Sequence, residues 1–325
     1  MDSTNRCGEG APRSATWATP SAFAKRKDGE PGGTTGRRNS DSDGQKPDEL
    51  WGDRLGGGEK KVARYENVRV GSWNVGSLTG RSGEVIEVLS RRRVDICCVQ
   101  ETRWKGKGAN RIGAAGRRSK LLWKGHKNGN AGVGVIVANK WVDKVVEVNR
   151  VNEHMMAVKL IVGKRLMNII SAYAPQIGRS EEEKDVFWDK MMDLTTAIPE
   201  DEAVILGGDL NGHVGDSVDG YDGVHGGFGF GKRNLEGERI LEFGDAVDMV
   251  VCNTLFKKEA SKLVTYKSGG AESTIDYLMM RRRDRGEIRN VKVIPGEECV
   301  SQHRLVVGDL LPGGLRKNRR SYMKR

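Results

Sequence analysis

The sequence predicts an α/β fold in which sheets pack face to face and helices cover them. Two observations predict it. Nine short apolar runs of strand length are interspersed with only three stretches of helical spacing. Some of those runs, such as VDICCVQ at residues 94–100, are almost continuously apolar, as strands covered on both faces are.

The elements follow in order. Residues 67–74 (NVRVGSWN) alternate as a strand, and residues 81–93 carry Val85, Ile86, Val88 and Leu89 on one helical face. Strands are predicted at 94–100, 131–138, 155–162, 166–173, 203–207, 249–253, 274–280 and 305–310. A second helix spans 180–197, opened by Ser180 with Glu181, Glu182 and Glu183 in its first turn. A third spans 235–247. Together these elements outline one domain at 67–311.

The flanks differ in composition. Residues 1–66 hold 11 of the 44 glycines, with 12 basic and 11 acidic side chains and few large apolar ones. Such a segment buries too little apolar surface to offset its ordering entropy, so it is expected to be disordered. The clusters at 25–27 and 37–38 read as solvated charge, with a nuclear-import signal as the alternative. Residues 312–325 hold six basic residues and no acidic one, and read as a basic disordered tail.

The chain carries 55 Lys+Arg against 44 Asp+Glu, a net +11, which points to an acidic partner such as nucleic acid. No run of about 18 apolar residues is present, so no transmembrane helix and no membrane partner are expected. The first residues lack an apolar signal core. The five cysteines show no CxxC spacing, which argues against a zinc knuckle or a disulfide scaffold. An intracellular location, nuclear or cytoplasmic, follows as the expectation.

Polar residues stand at the ends of the apolar strands, where α/β architectures display functional groups. Asn74, Glu101, Tyr173, Asp209, Asn211, Asp276 and His303 all take such places. Each alone reads as a turn former, a cap or a satisfied core-edge group. In GGDLN, Gly207 and Gly208 are expected to turn the backbone sharply and let it approach a ligand. Asp209 and Asn211 then share one loop, suited to holding a water or a phosphate oxygen.

The ordered set WN, QET, YAP, GDLN, IDY and QH resembles the endonuclease/exonuclease/phosphatase superfamily over about 245 residues. The segments SWNVGSLTGR, VQETRWKG, SAYAPQ, GGDLNGHVG, TIDYLMMRR and SQHRLVVGDL are similar to one branch of it. That branch holds craniofacial development protein 2-like proteins and LINE-type (RTE-like) retrotransposon endonuclease domains.

The resemblance implies a DNase I-like, four-layer sandwich of two mixed sheets flanked by helices. It implies Mg²⁺-dependent phosphodiester hydrolysis, with Mn²⁺ as a substitute and no organic cofactor. Mg²⁺ prefers oxygen ligands and often takes one or two carboxylates plus waters and substrate phosphate. Under that reading Glu101 is the main metal ligand and Asn74 lies beside it, orienting it or the phosphate. His303 acts on the attacking water or stabilises the charged phosphorane, and Asp276 fixes its tautomer. Asp209 positions the water, Asn211 contacts a phosphate oxygen, and Tyr173 donates to the phosphate or leaving oxygen. Gly76 and Gln302 stand where many members have acidic residues, and Gln176 where many have Asn.

Substrate is read from charge. Residues 103–127 carry nine basic side chains and no acidic one, with Trp104 and Trp123 interleaved. Arg103, Lys105 and Lys107 adjoin Glu101 and are expected to bind a nucleic-acid backbone. The alternative is an exposed basic loop with Trp123 packed in a strand. Residues 281–283 and Arg285 are expected to flank the same groove. The main reading is a DNA endonuclease. Its rivals are a phosphatase of the same fold acting on small phosphate esters, and a catalytically weakened domain that binds chromatin or protein. No protein partner is named by the sequence.

Overall fold

The structure is a computed structural model that describes residues 66–297, 299–300 and 302–313. The expectations for the first 65 residues and for those after 313 lie outside the described residues.

In chain order the strands are β1 (Val68–Asn74), β2 (Ile96–Gln100), β3 (Lys107–Ile112), β4 (Ser119–Lys124), β5 (Val133–Ala138), β6 (Val145–Asn152), β7 (Met155–Val162) and β8 (Arg165–Tyr173). They continue with β9 (Ala203–Asp209), β10 (Met249–Val251), β11 (Tyr266–Ser268), β12 (Ala271–Ser273), β13 (Asp276–Arg281), β14 (Ile288–Ile294) and β15 (Leu305–Leu310). The helices are α1 (Ser82–Arg91), α2 (Glu181–Thr196) and α3 (Leu235–Ala246).

Two mixed sheets result, with orders β14-β15-β1-β2-β5-β4-β3 and β10-β13-β9-β8-β7-β6, beside a small β11-β12 hairpin. One apolar layer, including Val70, Ile96, Val135, Val158, Ile205 and Val306, fills the space between the sheets. A second joins Phe187, Trp188 and Met191 of α2 and Ile240, Leu241 and Phe243 of α3 to the outer face of the β9 sheet. A third joins Val85, Ile86 and Leu89 of α1 to the outer face of the β1 sheet. The chain is thus an α/β sandwich of two mixed sheets between helices, the DNase I-like architecture. The apolar runs behave as their composition requires: every residue of β2 and of β9 is buried. Ser180 caps α2 by accepting from the Glu183 amide at 3.3 Å.

Each sheet contains one parallel pair, β1 with β2 and β8 with β9. Asn74 is level with Gln100, and Tyr173 with Asp209, so the carboxyl ends of both pairs are in register within their sheets.

Three expectations change. Gly207 and Gly208 form no turn. They lie inside β9, paired with Ser171 and Ala172 on one side and with Leu278 and Tyr277 on the other. A Cβ on Gly207 would meet Cys98 of the facing sheet at 3.0 Å, and one on Gly208 would meet the Ala172 carbonyl at 2.5 Å. These glycines bring sheets and strands close together.

The basic stretch 103–127 is largely the β3–β4 hairpin at a sheet edge. Trp123 packs edge-on to Trp104, 5.0 Å between ring centroids, and covers Gly108. Arg150 of β6 donates to the carbonyls of Trp123 and Gly108, both at 3.1 Å, and so ties the edges of the two sheets.

Arg281, Arg282 and Arg283 do not flank the Asp276 end of β13. The strand starts at Asp276 and carries them to its opposite end, about 17 Å away at the usual rise. There Arg281 donates to the carbonyls of Ile198 and Glu200, and Arg282 pairs with Asp245 and Asp248. Arg285 lies two residues beyond Arg283, at the same far end.

Gly208→Ala is expected to destabilise the protein by about 1–3 kcal/mol, because a backbone oxygen cannot yield as a side chain does. Gly83→Ala, on the exposed start of α1 with open space for a Cβ, is expected to stabilise by about 0.5 kcal/mol. Urea unfolding of both variants checks the contrast.

Candidate active site

Asn74 is the last residue of β1 and is buried. Its Oδ1 accepts from the Gly76 amide at 3.0 Å, which turns its Nδ2 towards the cleft. That nitrogen donates to Glu101 Oε1 at 3.0 Å and to Asp209 Oδ2 at 2.9 Å. Gly76 reaches this position with φ of +63°, and a Cβ on it would meet no atom within 4 Å.

Glu101 follows Gln100, whose side chain faces Ser72, Ser171 and Gly207 between the sheets. Successive residues of a strand point to opposite faces. Glu101 nevertheless reaches the same side as Gln100, through a left-handed φ of +53°. Arg103 and Asn211 also hold positive φ, +53° and +49°, and strained residues of this kind cluster at functional sites.

Tyr173 ends β8 and donates its hydroxyl to Glu101 Oε1 at 3.0 Å. Arg103 donates to Glu101 Oε2 at 2.8 Å. Both carboxylate oxygens of Glu101 therefore carry donors. Asp209 ends β9, and its Oδ1 accepts from the Asn211 amide at 3.1 Å. Asn211 gives its own side-chain NH₂ to the Ala174 carbonyl at 2.9 Å, which holds the residue on the rim. Asp276 opens β13, fully buried, beside Asp209 in register. His303 Nδ1 lies 3.1 Å from Asp276 Oδ2, and its Nε2 lies 3.8 Å from Asp209 Oδ2.

The structure thus gathers Asn74, Glu101, Tyr173, Asp209, Asp276 and His303 into one connected cluster and adds Arg103 by an ion pair. Lys105 and Lys107 are not in that network. Lys107 is level with Lys124 and, through it, with Val133 and Gln100, so it stands at the site's end of the sheet. Arg111 and Lys120 pair near the other end of the hairpin. Only part of the basic stretch therefore faces the cluster's edge.

The charges are strongly coupled. Burial works against a charged Glu101, but hydrogen bonds from Arg103, Asn74 and Tyr173 outweigh it and hold the carboxyl below its usual value. Burial, then the Asp276 charge, pushes Asp209 up to about 7, against the pull of His303, Asn74 and the Asn211 amide. Burial disfavours a charged His303, yet Asp276, Asp209 and Glu101 push it up to about 9. Burial, with the Glu101 and Asp209 charges, raises Tyr173 far enough to keep it a hydrogen-bond donor.

Asp209, Asp276 and His303 each bring one ligand atom within 4.8 Å of the others, the one such group among the described residues. Glu101 stands across Asn74 from them. This oxygen-rich donor set fits a hard divalent cation.

Other residues also reach the site, and of these Asn253 alone ends a strand predicted from the sequence. His154 stacks on Tyr173 at 5.9 Å between centroids and bonds its carbonyl through Nδ1 at 2.9 Å. Asn253 holds the Asp276 carbonyl at 3.1 Å. Thr265 and Tyr266 touch the Asp276–His303 pair and belong to no strand-like run. Gln302 points away, its amide 3.4 Å from Ser268 Oγ. A cleft of about 710 Å³ adjoins Tyr173, with His126, Asn130, His154, Gln176, Arg179 and Lys190 among its walls.

Residues 71–290 match the Endonuclease/Exonuclease/phosphatase family. The chain is 29% identical over 250 residues to craniofacial development protein 2 of Bos taurus, covering 74% of this chain. It spans only 40% of that relative's length. An AP endonuclease from Leishmania major shares its fold with a TM-score of 0.55 at 12% identity, over 75% of this chain and 88% of that one. So does the endonuclease domain of TRAS1, a telomere-specific non-LTR retrotransposon, with a TM-score of 0.51 at 14% identity, over 75% and 98%.

In chelator, the proton held by His303 makes a stability contribution that is complete below pH 6.5 and lost as pH rises through about 9. Thermal melts should therefore fall over that window. Asp276→Asn, which removes the main charge raising His303, should flatten the fall.

Proposed function

The chain belongs to the Endonuclease/Exonuclease/phosphatase family, and from that premise we propose that it is a divalent-cation-dependent phosphodiester hydrolase that cleaves DNA. One observation carries the reading: acid, amide, phenol and imidazole groups from the ends of six strands in two sheets meet in one largely buried network. A structural role alone would not require two buried carboxylates, Asp209 and Asp276, beside a half-buried third, Glu101.

Glu101 would hold Mg²⁺ or Mn²⁺, with Asn74 fixing the orientation of its carboxylate. When bound, the cation supplies charge neutralisation on the phosphate and the leaving oxygen. Asp209, raised towards neutrality, suits accepting a proton from the attacking water. His303, protonated at neutral pH, suits stabilising charge on the phosphoryl oxygens, with Asp276 holding its other nitrogen. Tyr173 donates to Glu101 and is placed to turn that proton to a phosphate oxygen. Asn211 lies on the rim with its side-chain oxygen available to orient water or a phosphate ester.

The DNA assignment rests on Arg103, Lys105 and Lys107, which run from the site along the sheet edge, with Lys124 beside Lys107. No helix among the described residues is long and apolar enough to cross a membrane.

Purified protein should nick supercoiled plasmid in Mg²⁺, and Glu101→Ala and His303→Ala should each lower kcat by roughly 100-fold or more. Lys107→Ala with Lys124→Ala should weaken DNA binding and flatten its salt dependence, leaving kcat at saturation unchanged. Absence of nicking by the intact protein, with salt-dependent DNA binding kept, would favour the weakened binding domain that Gly76 and Gln302 suggest. Hydrolysis of small phosphate esters in preference to plasmid would favour the phosphatase.

A further inference from the structure

We propose that Thr265 and Tyr266 are the positioning residues of the Asp276–His303 pair, a proposal that rests on the catalytic reading of that pair. Thr265 is completely buried. Its hydroxyl accepts from the main-chain amides of Ile275 at 3.0 Å and Asp276 at 3.1 Å, so it fixes the backbone from which the carboxylate projects. Its carbonyl accepts from the Arg304 amide at 2.7 Å, one residue past the imidazole. Tyr266 forms an antiparallel bridge with His303, and its ring lies 4.8 Å from the imidazole at 58°. The next residue continues the contact, the Lys267 amide donating to the Gln302 carbonyl at 2.9 Å.

This dipeptide therefore touches both members of the pair, which are 27 residues apart, Asp276 opening β13 of one sheet and His303 standing two residues before β15 of the other. Asp209 also meets both, paired with Asp276 in register and 3.8 Å from His303 Nε2, but it reaches His303 only through its side chain. The remaining supports hold one member each. Trp73 Nε1 donates to the His303 carbonyl at 3.2 Å, and Asn253 holds the Asp276 carbonyl. Among these main-chain contacts, those of Thr265 and Tyr266 alone join the two backbones from which the carboxylate and the imidazole project. A hydrogen-bonded acid–imidazole pair is useful only while the distance between its members is kept, and an error near 1 Å is enough to cost about 100-fold in rate.

Neither residue is placed to touch the reacting atoms in this reading. Their effect should thus fall on kcat rather than on substrate affinity. The methyl-for-hydroxyl change in Thr265→Val keeps the volume and removes the acceptor, while Thr265→Ser keeps the acceptor. Tyr266→Leu removes the ring contact, and Tyr266→Phe keeps it.

The test uses the full chain and two readouts: steady-state plasmid nicking in Mg²⁺, and the far-downfield proton resonance of an imidazole Nδ1–H bonded to a carboxylate, assigned to His303 by its loss in His303→Gln. Thr265→Val and Tyr266→Leu should lower kcat roughly ten- to hundredfold with KM within about twofold, and the resonance should be lost or broadened. Thr265→Ser and Tyr266→Phe should restore both to near wild type. Wild-type kcat and an unchanged resonance in Thr265→Val would overturn the proposal, as would a change in KM alone in Tyr266→Leu, which would mark a substrate contact. If Thr265→Val fails to melt cooperatively, the Tyr266 pair decides by the same readouts. If the wild-type chain does not cleave DNA, the functional reading fails by itself. The resonance in the four variants then still accepts or rejects the positioning role.

Discussion

A single side-chain amide separates and joins the two carboxylates on which the site is built. Glu101 comes from one sheet and Asp209 from the other, and each receives one hydrogen from Asn74 Nδ2. Buried carboxylates repel and are costly unless donors satisfy them. The Asn74 amide does this for both at once, held the right way round by the Gly76 amide. The rest of the fold serves that meeting. Gly207 lets the sheets approach, and Gly208 lets β9 lie close to β8. The left-handed turn at Glu101 brings its side chain round to the inner side that Gln100 already faces.

The remaining charges balance around that bridge. Arg103 answers Glu101, and His303 answers Asp276 and Asp209. Three carboxylates against one guanidinium and one imidazolium leave an excess of negative charge in a buried place, which a divalent cation would offset. Burial and then the Asp276 charge raise Asp209, and the carboxylate charges raise His303 against burial, into the range that the proposed proton transfer and charge stabilisation use. Stability and chemistry therefore draw on the same groups.

Much of this was legible in the residues. Apolar runs such as VDICCVQ and AVILGGD mark β2 and β9, because burial on both faces leaves a continuous apolar record. Polar residues at the ends of such runs mark Asn74, Glu101, Tyr173 and Asp209. The edge strands β3, β6 and β14 left no such record, since edge strands face solvent and tolerate Lys, Arg, Asn and Glu, and β4, one strand in from the edge, is apolar only over its central Leu-Leu-Trp. Residues 281–283 looked close to the site because they follow Asp276 in sequence, but a strand carries its far end away from its start. Thr265, Tyr266 and His154 act through contacts with distant segments, so no local pattern announces them, whereas Asn253 ends the predicted strand 249–253 as Asn74 and Asp209 end theirs. Gly207 and Gly208 announced a special backbone site, but the reason was close packing rather than a turn.

The central claim is that these side chains form one cation-holding centre between the ends of the two sheets. It is tested most directly by anomalous diffraction from crystals of the protein soaked in Mn²⁺, with the Glu101→Ala variant as comparison. The account predicts an anomalous peak within the cluster bounded by Glu101, Asp209, Asp276 and His303, lost or much weakened in Glu101→Ala. Peaks confined to exposed carboxylates, or a cluster peak unchanged by Glu101→Ala, would contradict it.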